Sequence, residues 1–128
     1  MQRIIILFLI MASAGLIHAQ SNVEVDSTTY TFGTIVQGVN PTHTFIIKNT
    51  GNAVLLINSV DVSCGCLVVD YSKTPIKPGM TGEVQIMFVS GNKKGFQLRS
   101  TNVKTNAGGD IILYMKGTVK KKNEGMKE

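Results

Sequence analysis

From Thr28 onward, short runs of alternating apolar and polar residues are punctuated by Gly, Asn and Pro at intervals of roughly 8–12 residues, the spacing of an all-β domain. The segment STTYTFGTIVQG offers one or two edge strands, broken by Gly33 and closed by Gly38. THTFIIKN reads as a strand with Phe45 and Ile47 on one face, and the apolar run Val54 to Val62 as a second. LVVDY, from Leu67 to Tyr71, is short and suits a sheet edge. GEVQIMF alternates without interruption, which directs Val84, Ile86 and Phe88 inward and Glu83, Gln85 and Met87 outward. FQLRSTNVKTN continues the alternation through Phe96 and Leu98 until Ser100 to Asn102 weaken it, and IILYMKGTV closes the pattern.

The breaks carry their own chemistry. Asn49-Thr50-Gly51-Asn52 is a tight reversal, because Asn and Gly accept positive φ at little cost. Pro78 and Gly79 occupy the second and third places of a type II turn, where Pro fixes φ and Gly supplies the positive value. Gly65 lets the chain fold back between two cysteines, and Gly117 suits a strand bulge. These are scaffold signals.

About seven strands result, and no stretch has a 3.6-residue period long enough for a helix. Parallel pairing of neighbouring strands requires a crossover of a dozen residues or more, usually a helix, so antiparallel sheets are expected. An immunoglobulin-like antiparallel β-sandwich in a single domain fits both length and strand count. The competing five-stranded oligonucleotide-binding barrel usually places a helix between its third and fourth strands, and none reads here. The buried Trp and widely spaced disulfide of antibody domains are missing, which argues only against a true antibody-type domain.

The first nineteen residues follow a different rule. Arg3 and the amino terminus make a positive start, Ile4 to Ile17 carry no charge, and the run ends at Ala19. That is the form of a cleaved secretory signal, and the apolar run is short of the roughly 20 residues a membrane span needs. The expected organisation is signal peptide 1–19, sandwich domain 20–119 and basic disordered tail 120–128. With 13 Lys+Arg, 8 Asp+Glu and a net charge of +5, the chain is mildly basic. Lys120, Lys121, Lys122 and Lys127 lie in the tail, so the basicity reads as a frayed end rather than a patch on the domain. Export to the periplasm or beyond a Gram-negative-type envelope makes nucleic acid an unexpected partner.

YTFGTIVQG, HTFIIKNTGNAVLLINSVDVSCGC, PIKPGMTGEVQIMF and IILYMKGTV together resemble the exported bacterial domain-of-unknown-function family 1573. Its most specific elements here are Phe45 to Gly51 and Ser63 to Cys66, with Leu67 standing where the family usually has Thr. That family is similar to immunoglobulin-like domains of cilia- and centrosome-associated proteins and of the major-sperm-protein type. The resemblance implies fold and export. It implies no reaction and no cofactor.

Cys64-Gly65-Cys66 is the one motif with a mechanism of its own. Three readings stand side by side. A disulfide suits an oxidising compartment, although closing so small a loop is worth roughly 1.6 kcal/mol before strain. Strain in that loop would make the bond easily reduced, as a thiol–disulfide redox role requires. Two thiolates could instead hold Cu(I), but structural Zn wants four ligands, and His43, Met80, Met87, Met115 and Met126 show no ligand spacing. Finally, the pair can simply tighten a turn. The turn position places both sulfurs near the surface.

His43 is the lone imidazole after Ala19, and catalysis needs partners for it. The acids Glu24, Asp26, Asp61, Asp70, Glu83 and Asp110 are scattered, and no phosphate-binding glycine motif occurs. The expectation is therefore a non-enzymatic envelope module that binds a protein partner or is structural, with LVVDY or the strand near Tyr30 as candidate edges. The alternative is a small redox or Cu(I)-handling protein using Cys64 and Cys66. After signal cleavage no membrane span is expected, and the oligomeric state is not legible.

Overall fold

A computed structural model describes Gly15 and residues 21–122. Eight strands are present among these residues: β1 (Val23–Val25), β2 (Thr29–Val36), β3 (Thr42–Asn49), β4 (Ile57–Val62), β5 (Leu67–Tyr71), β6 (Thr81–Phe88), β7 (Gly95–Thr105) and β8 (Asp110–Lys120). They form two four-stranded sheets, ordered β1-β3-β6-β5 and β2-β8-β7-β4. The all-β sandwich read from the sequence is the fold, and LVVDY and the Tyr30 strand are edges as expected.

One ladder departs from antiparallel pairing: β2 runs parallel to β8. The crossover rule applies to strands joined by a local connection, whereas the link from β2 to β8 is the rest of the domain. The chain starts in one sheet as β1, is held there by Asp26 accepting from the Ile46 N–H, and then crosses to the other sheet. Within β2 the register moves from Thr31 opposite Lys116 to Gly33 opposite Gly117, so Phe32 is the extra residue of a bulge. The bulge therefore belongs to β2 and not to Gly117. Gly117 is needed for room, because a Cβ there would overlap the Phe32 ring.

The core lies between the sheets. Phe45 and Ile47 from β3, Val84, Ile86 and Phe88 from β6, and Leu113 from β8 are fully buried. Each such side chain contributes about 1.5–3 kcal/mol by leaving water. The run from Val54 is not one strand: Leu55 makes an isolated bridge with Ile76, exchanging both backbone hydrogen bonds at 2.8–2.9 Å, and β4 begins only at Ile57. Leu55 and Ile76 plug this end of the sandwich, and Gly82 has no side chain because Ile76 occupies that space. β7 takes the opposite phase to β6. Phe96 and Leu98 face solvent, while Gln97 and Thr101 are buried. β8 ends with Lys120, and beyond it the Lys122 N–H donates to Gln37 Oε1. The expected signal segment 1–19, Gly15 apart, and tail residues 123–128 lie outside the described residues.

Candidate functional site

Two features lie together at one side of the sandwich, the Cys64-Gly65-Cys66 turn and the strand it leads into. The turn carries the chain from β4 in one sheet to β5 in the other. It is clamped to both. Ser63 N–H donates to Ser100 O at 2.9 Å and its hydroxyl accepts from Ser100 N–H at 3.0 Å, on β7. Cys66 O accepts from Val89 N–H at 2.7 Å, just beyond β6. Within the turn, Leu67 N–H donates to Cys64 O and Cys66 N–H to Cys64 Sγ.

Cys64 and Cys66 are joined as a disulfide with their Cα atoms 5.2 Å apart, within the span such a bond requires. The expectation of two surface sulfurs needs correction, because Cys66 is buried and belongs to the core, and Cys64 is half-buried against it. The Cys66 carbonyl extends the β5–β6 hydrogen bonding by one residue, but Cys66 does not follow the alternation of β5, in which Leu67 already faces inward. Gly65 has no positive φ and its Cβ position is open space, so the turn does not depend on glycine's conformational freedom.

The other candidate ligands are elsewhere. His43 is stacked on Tyr30 with centroids 4.1 Å apart and meets Phe45 edge-on at 4.7 Å. Met115 is in the core, and Met80 is exposed in the Lys77–Met80 turn. Met126 lies outside the described residues, among which no three His, Cys, Asp or Glu side chains could share a metal ion. Asp61 pairs with Lys104 at 3.1 Å, and Asp70 Oδ1 accepts from Tyr71 N–H.

The edge of β5 follows from its ladder. Ser72 N–H donates to Glu83 O and Val89 N–H to Cys66 O, so Val68, Asp70 and Ser72, with the Cys66 carbonyl, direct their backbone groups to the β6 side. Leu67, Val69 and Tyr71 direct theirs to the open side. Two of those N–H groups are engaged locally, Leu67 by Cys64 O and Tyr71 by Asp70 Oδ1. What faces outward is the Val69 N–H and three carbonyls. The β5 register is unbroken, whereas β2 and β4 each carry a bulge and β1 has three residues. Beside this edge is a groove of about 230 Å³ lined by Asp70, Tyr71, Ser72, Glu83 and Gln85, with the Lys73 ammonium 3.1 Å from the centre of the Tyr71 ring.

The turn residues at the other end of the sandwich do more than the sequence suggested. Gly51 has no positive φ; the reversal is closed instead by Asn49, whose Oδ1 accepts from Gly51 N–H at 3.0 Å. Its Nδ2 donates to Ala53 O and Ile76 O at 2.8 and 2.9 Å, and the residue is fully buried. Gly79 behaves as read, with φ at 80° and Met80 N–H donating to Lys77 O across Pro78.

The model of the family described as "Protein of unknown function (DUF1573)" matches residues 23–119. The chain belongs to that family. No curated protein matches it. Among solved structures it is similar to a protein of unknown function from Porphyromonas gingivalis W83, at 19% identity and a TM-score of 0.66, over 84% of this chain and 51% of that one. The DUF1573 chain thus spans about half the length of that relative. It is also similar to the seventh PapD-like (ASH) domain of human CEP192, at 12% identity and a TM-score of 0.65, over 80% of this chain and 87% of that one. The SrpA adhesin of Streptococcus sanguinis shares the fold at 10% identity and a TM-score of 0.55, over 86% and 62% of the two chains. At these identities the likeness is one of fold.

Proposed function

We propose that this chain is a non-enzymatic, exported immunoglobulin-like module that takes an extended protein segment onto the edge of β5. The observation that carries the reading is the unbroken register of β5 with the Val69 N–H and the Leu67, Val69 and Tyr71 carbonyls facing outward. An added strand would satisfy those groups, and the pockets beside an edge then choose its side chains. The neighbouring groove contains Asp70 and Glu83, which favours a partner with Lys or Arg at alternate positions. The Cys64–Cys66 link serves as a staple that fixes where β5 begins. A bonded pair fits the export expected from Arg3, the uncharged Ile4–Ile17 run and Ala19.

The non-enzymatic reading draws on His43, whose ring is engaged with Tyr30 and Phe45. No acid is paired with it in a catalytic arrangement among the described residues.

The test is capture from an envelope extract by the full chain, compared with Val69→Pro, which removes the outward N–H and no ladder donor. Loss of capture with a cooperative melting transition retained is expected, and equal capture by both proteins overturns the proposal. Hydrogen exchange on the captured complex keeps the test decisive if the variant unfolds. Protection of the Val69 amide is expected, and protection confined to β2 or β4 places the edge elsewhere.

A further inference from the structure

The sequence divides its lysines between a body and a tail, but the fold brings Lys93 and Lys94 of the body to Lys120, Lys121 and Lys122. At the end of the sandwich where β2 and β8 finish, Gln37 ties three segments into one. Its N–H donates to Lys120 O at 2.9 Å, and its Oε1 accepts from Lys122 N–H at 3.1 Å. Its Nε2 donates to Asn92 O and Lys93 O at 3.1 and 3.0 Å. The loop holding Lys93 and Lys94 is thereby fixed beside the end of β8 with Lys120, Lys121 and Lys122.

An apolar pair sits next to this cluster. Phe96 and Leu98 are 66% and 49% exposed on the outer face of β7. Phe96 lies opposite Thr118 and Leu98 opposite Lys116, and those two are opposite Thr34 and Thr31 on β2. The field around the pair is thus small hydroxyls and lysines, with the exposed Val36 opposite Lys120. The acids on this sheet are at its far end: Asp110 pairs with Lys104, six residues along β7 from Leu98 and so about 20 Å away, and Asp61 is beside it. Glu24, Asp26, Asp70 and Glu83 belong to the other sheet or its edges.

We propose that this end of the β2-β8-β7 face docks on an anionic lipid bilayer, with Phe96 and Leu98 in the headgroup region and the surrounding lysines against the phosphates. Among the described residues the charge at this end is one-signed, and Lys supplies point charges on long stems rather than the fixed fork of Arg, which suits a diffuse anionic layer. A small apolar patch of Phe96 and Leu98, with Val36 at the end of β2, in a field of Thr and Lys matches shallow interfacial insertion. A protein interface of ordinary size would instead want a larger apolar centre. This surface is on the opposite sheet from β5, so it stands or falls independently of strand addition.

The chain contains no Trp, so Phe96→Trp in the full chain is a single reporter at the patch. With vesicles of phosphatidylglycerol and phosphatidylcholine, its emission should shift to the blue and be quenched by brominated acyl chains. Pure phosphatidylcholine vesicles, or high salt, should leave it unchanged. Lys116→Gln in the same background should weaken partitioning about five-fold, the loss of one surface charge. Met80→Trp, exposed at the other end of the sandwich, should not respond. An equal response at Met80→Trp, or a response on neutral vesicles in salt such as the apolar Ile4–Ile17 run could produce, overturns the proposal. So does silence on every vesicle together with a response to polyglutamate, which would make the occupant an acidic polypeptide.

Discussion

β6 and β7 hold equivalent central places in their sheets, yet they treat the same kind of alternation in opposite ways. β6 sends Val84, Ile86 and Phe88 into the core and leaves Glu83 and Gln85 in solvent. β7 sends Gln97 and Thr101 inward and leaves Phe96 and Leu98 in solvent. The inward polar groups of β7 are partly provided for: Gln97 Nε2 donates to Lys94 O at 3.1 Å, and its Oε1 accepts from Arg99 Nη2 at 2.7 Å. Thr101 Oγ1 and Arg99 Nε are buried without a hydrogen-bond partner. The difference shows that period and phase are separate pieces of information. A period of two makes a strand, but the ladder decides which set of residues faces the core, and Val103 with its β8 neighbours sets that phase for β7.

The comparison breaks most visibly under truncation. Phe88→Ala removes a fully buried ring that stacks on Phe32 at 5.3 Å, and it should cost about 3–5 kcal/mol in urea unfolding. Phe96→Ala, the matching aromatic deletion on β7, should change stability by no more than about 0.5 kcal/mol. Equal losses at both positions would mean that Phe96 is covered in the folded protein.

Asn49→Ala comes next. The variant loses three side-chain hydrogen bonds at a buried site: Ala53 O and Gly51 N–H lose their Asn49 partner, and Ile76 O keeps the Leu55 N–H alone. A loss of about 2–4 kcal/mol follows, measured by the same unfolding titration. A loss below about 1 kcal/mol would show that water replaces the carboxamide.

Asn49 also marks the limit of the sequence reading. The turn at Asn49 to Asn52 was legible, because Asn and Gly favour reversals, but its mechanism was not. Asn49 works through a buried side chain that reaches Ile76, which is distant in sequence, and no local rule reports such a contact. Gln37 is a parallel case: nothing near it in sequence marks a residue that joins two loops to the end of β8. Seven of the eight strands were legible from alternation and turn chemistry, and Phe45, Ile47, Val84, Ile86 and Phe88 were placed correctly; the three-residue β1 is too short to show an alternation and was missed. The parallel β2–β8 ladder and the phase of β7 were not, since both are set by partners far along the chain. At the CGC turn, residue types pointed to sulfur chemistry. The burial of Cys66 depends on its packing into the core between the two sheets, and that is a property of the fold.

Thr101→Val sharpens the contrast in the other direction. The hydroxyl is buried and unpartnered, and Val has nearly the same shape, so the variant should be about 1 kcal/mol more stable. A destabilised variant would reveal a bound water or an unseen partner for Oγ1.

The smallest effect is expected at the far end of β7, where its outer face is charged instead of apolar. Lys104 Nζ is 3.1 Å from Asp61 Oδ2, and the Lys104 pKa is raised above its ordinary value of 10.5. The hydrogen bond to Asp61 is the main cause, followed by the charges of Asp61 and Asp110. A raised folded-state value means that the folded protein holds this proton more tightly than the unfolded chain. The stabilisation is therefore complete below pH 10.5 and is lost as pH rises through the higher folded value. Both groups are solvent-exposed, so salt screens the pair and the effect is small. The measurement is the melting temperature of wild type and Asp61→Asn on either side of that window. The two curves should converge at the alkaline side and at high salt, and a constant offset across pH would assign the difference to the β4–β7 ladder rather than to the charge on Lys104.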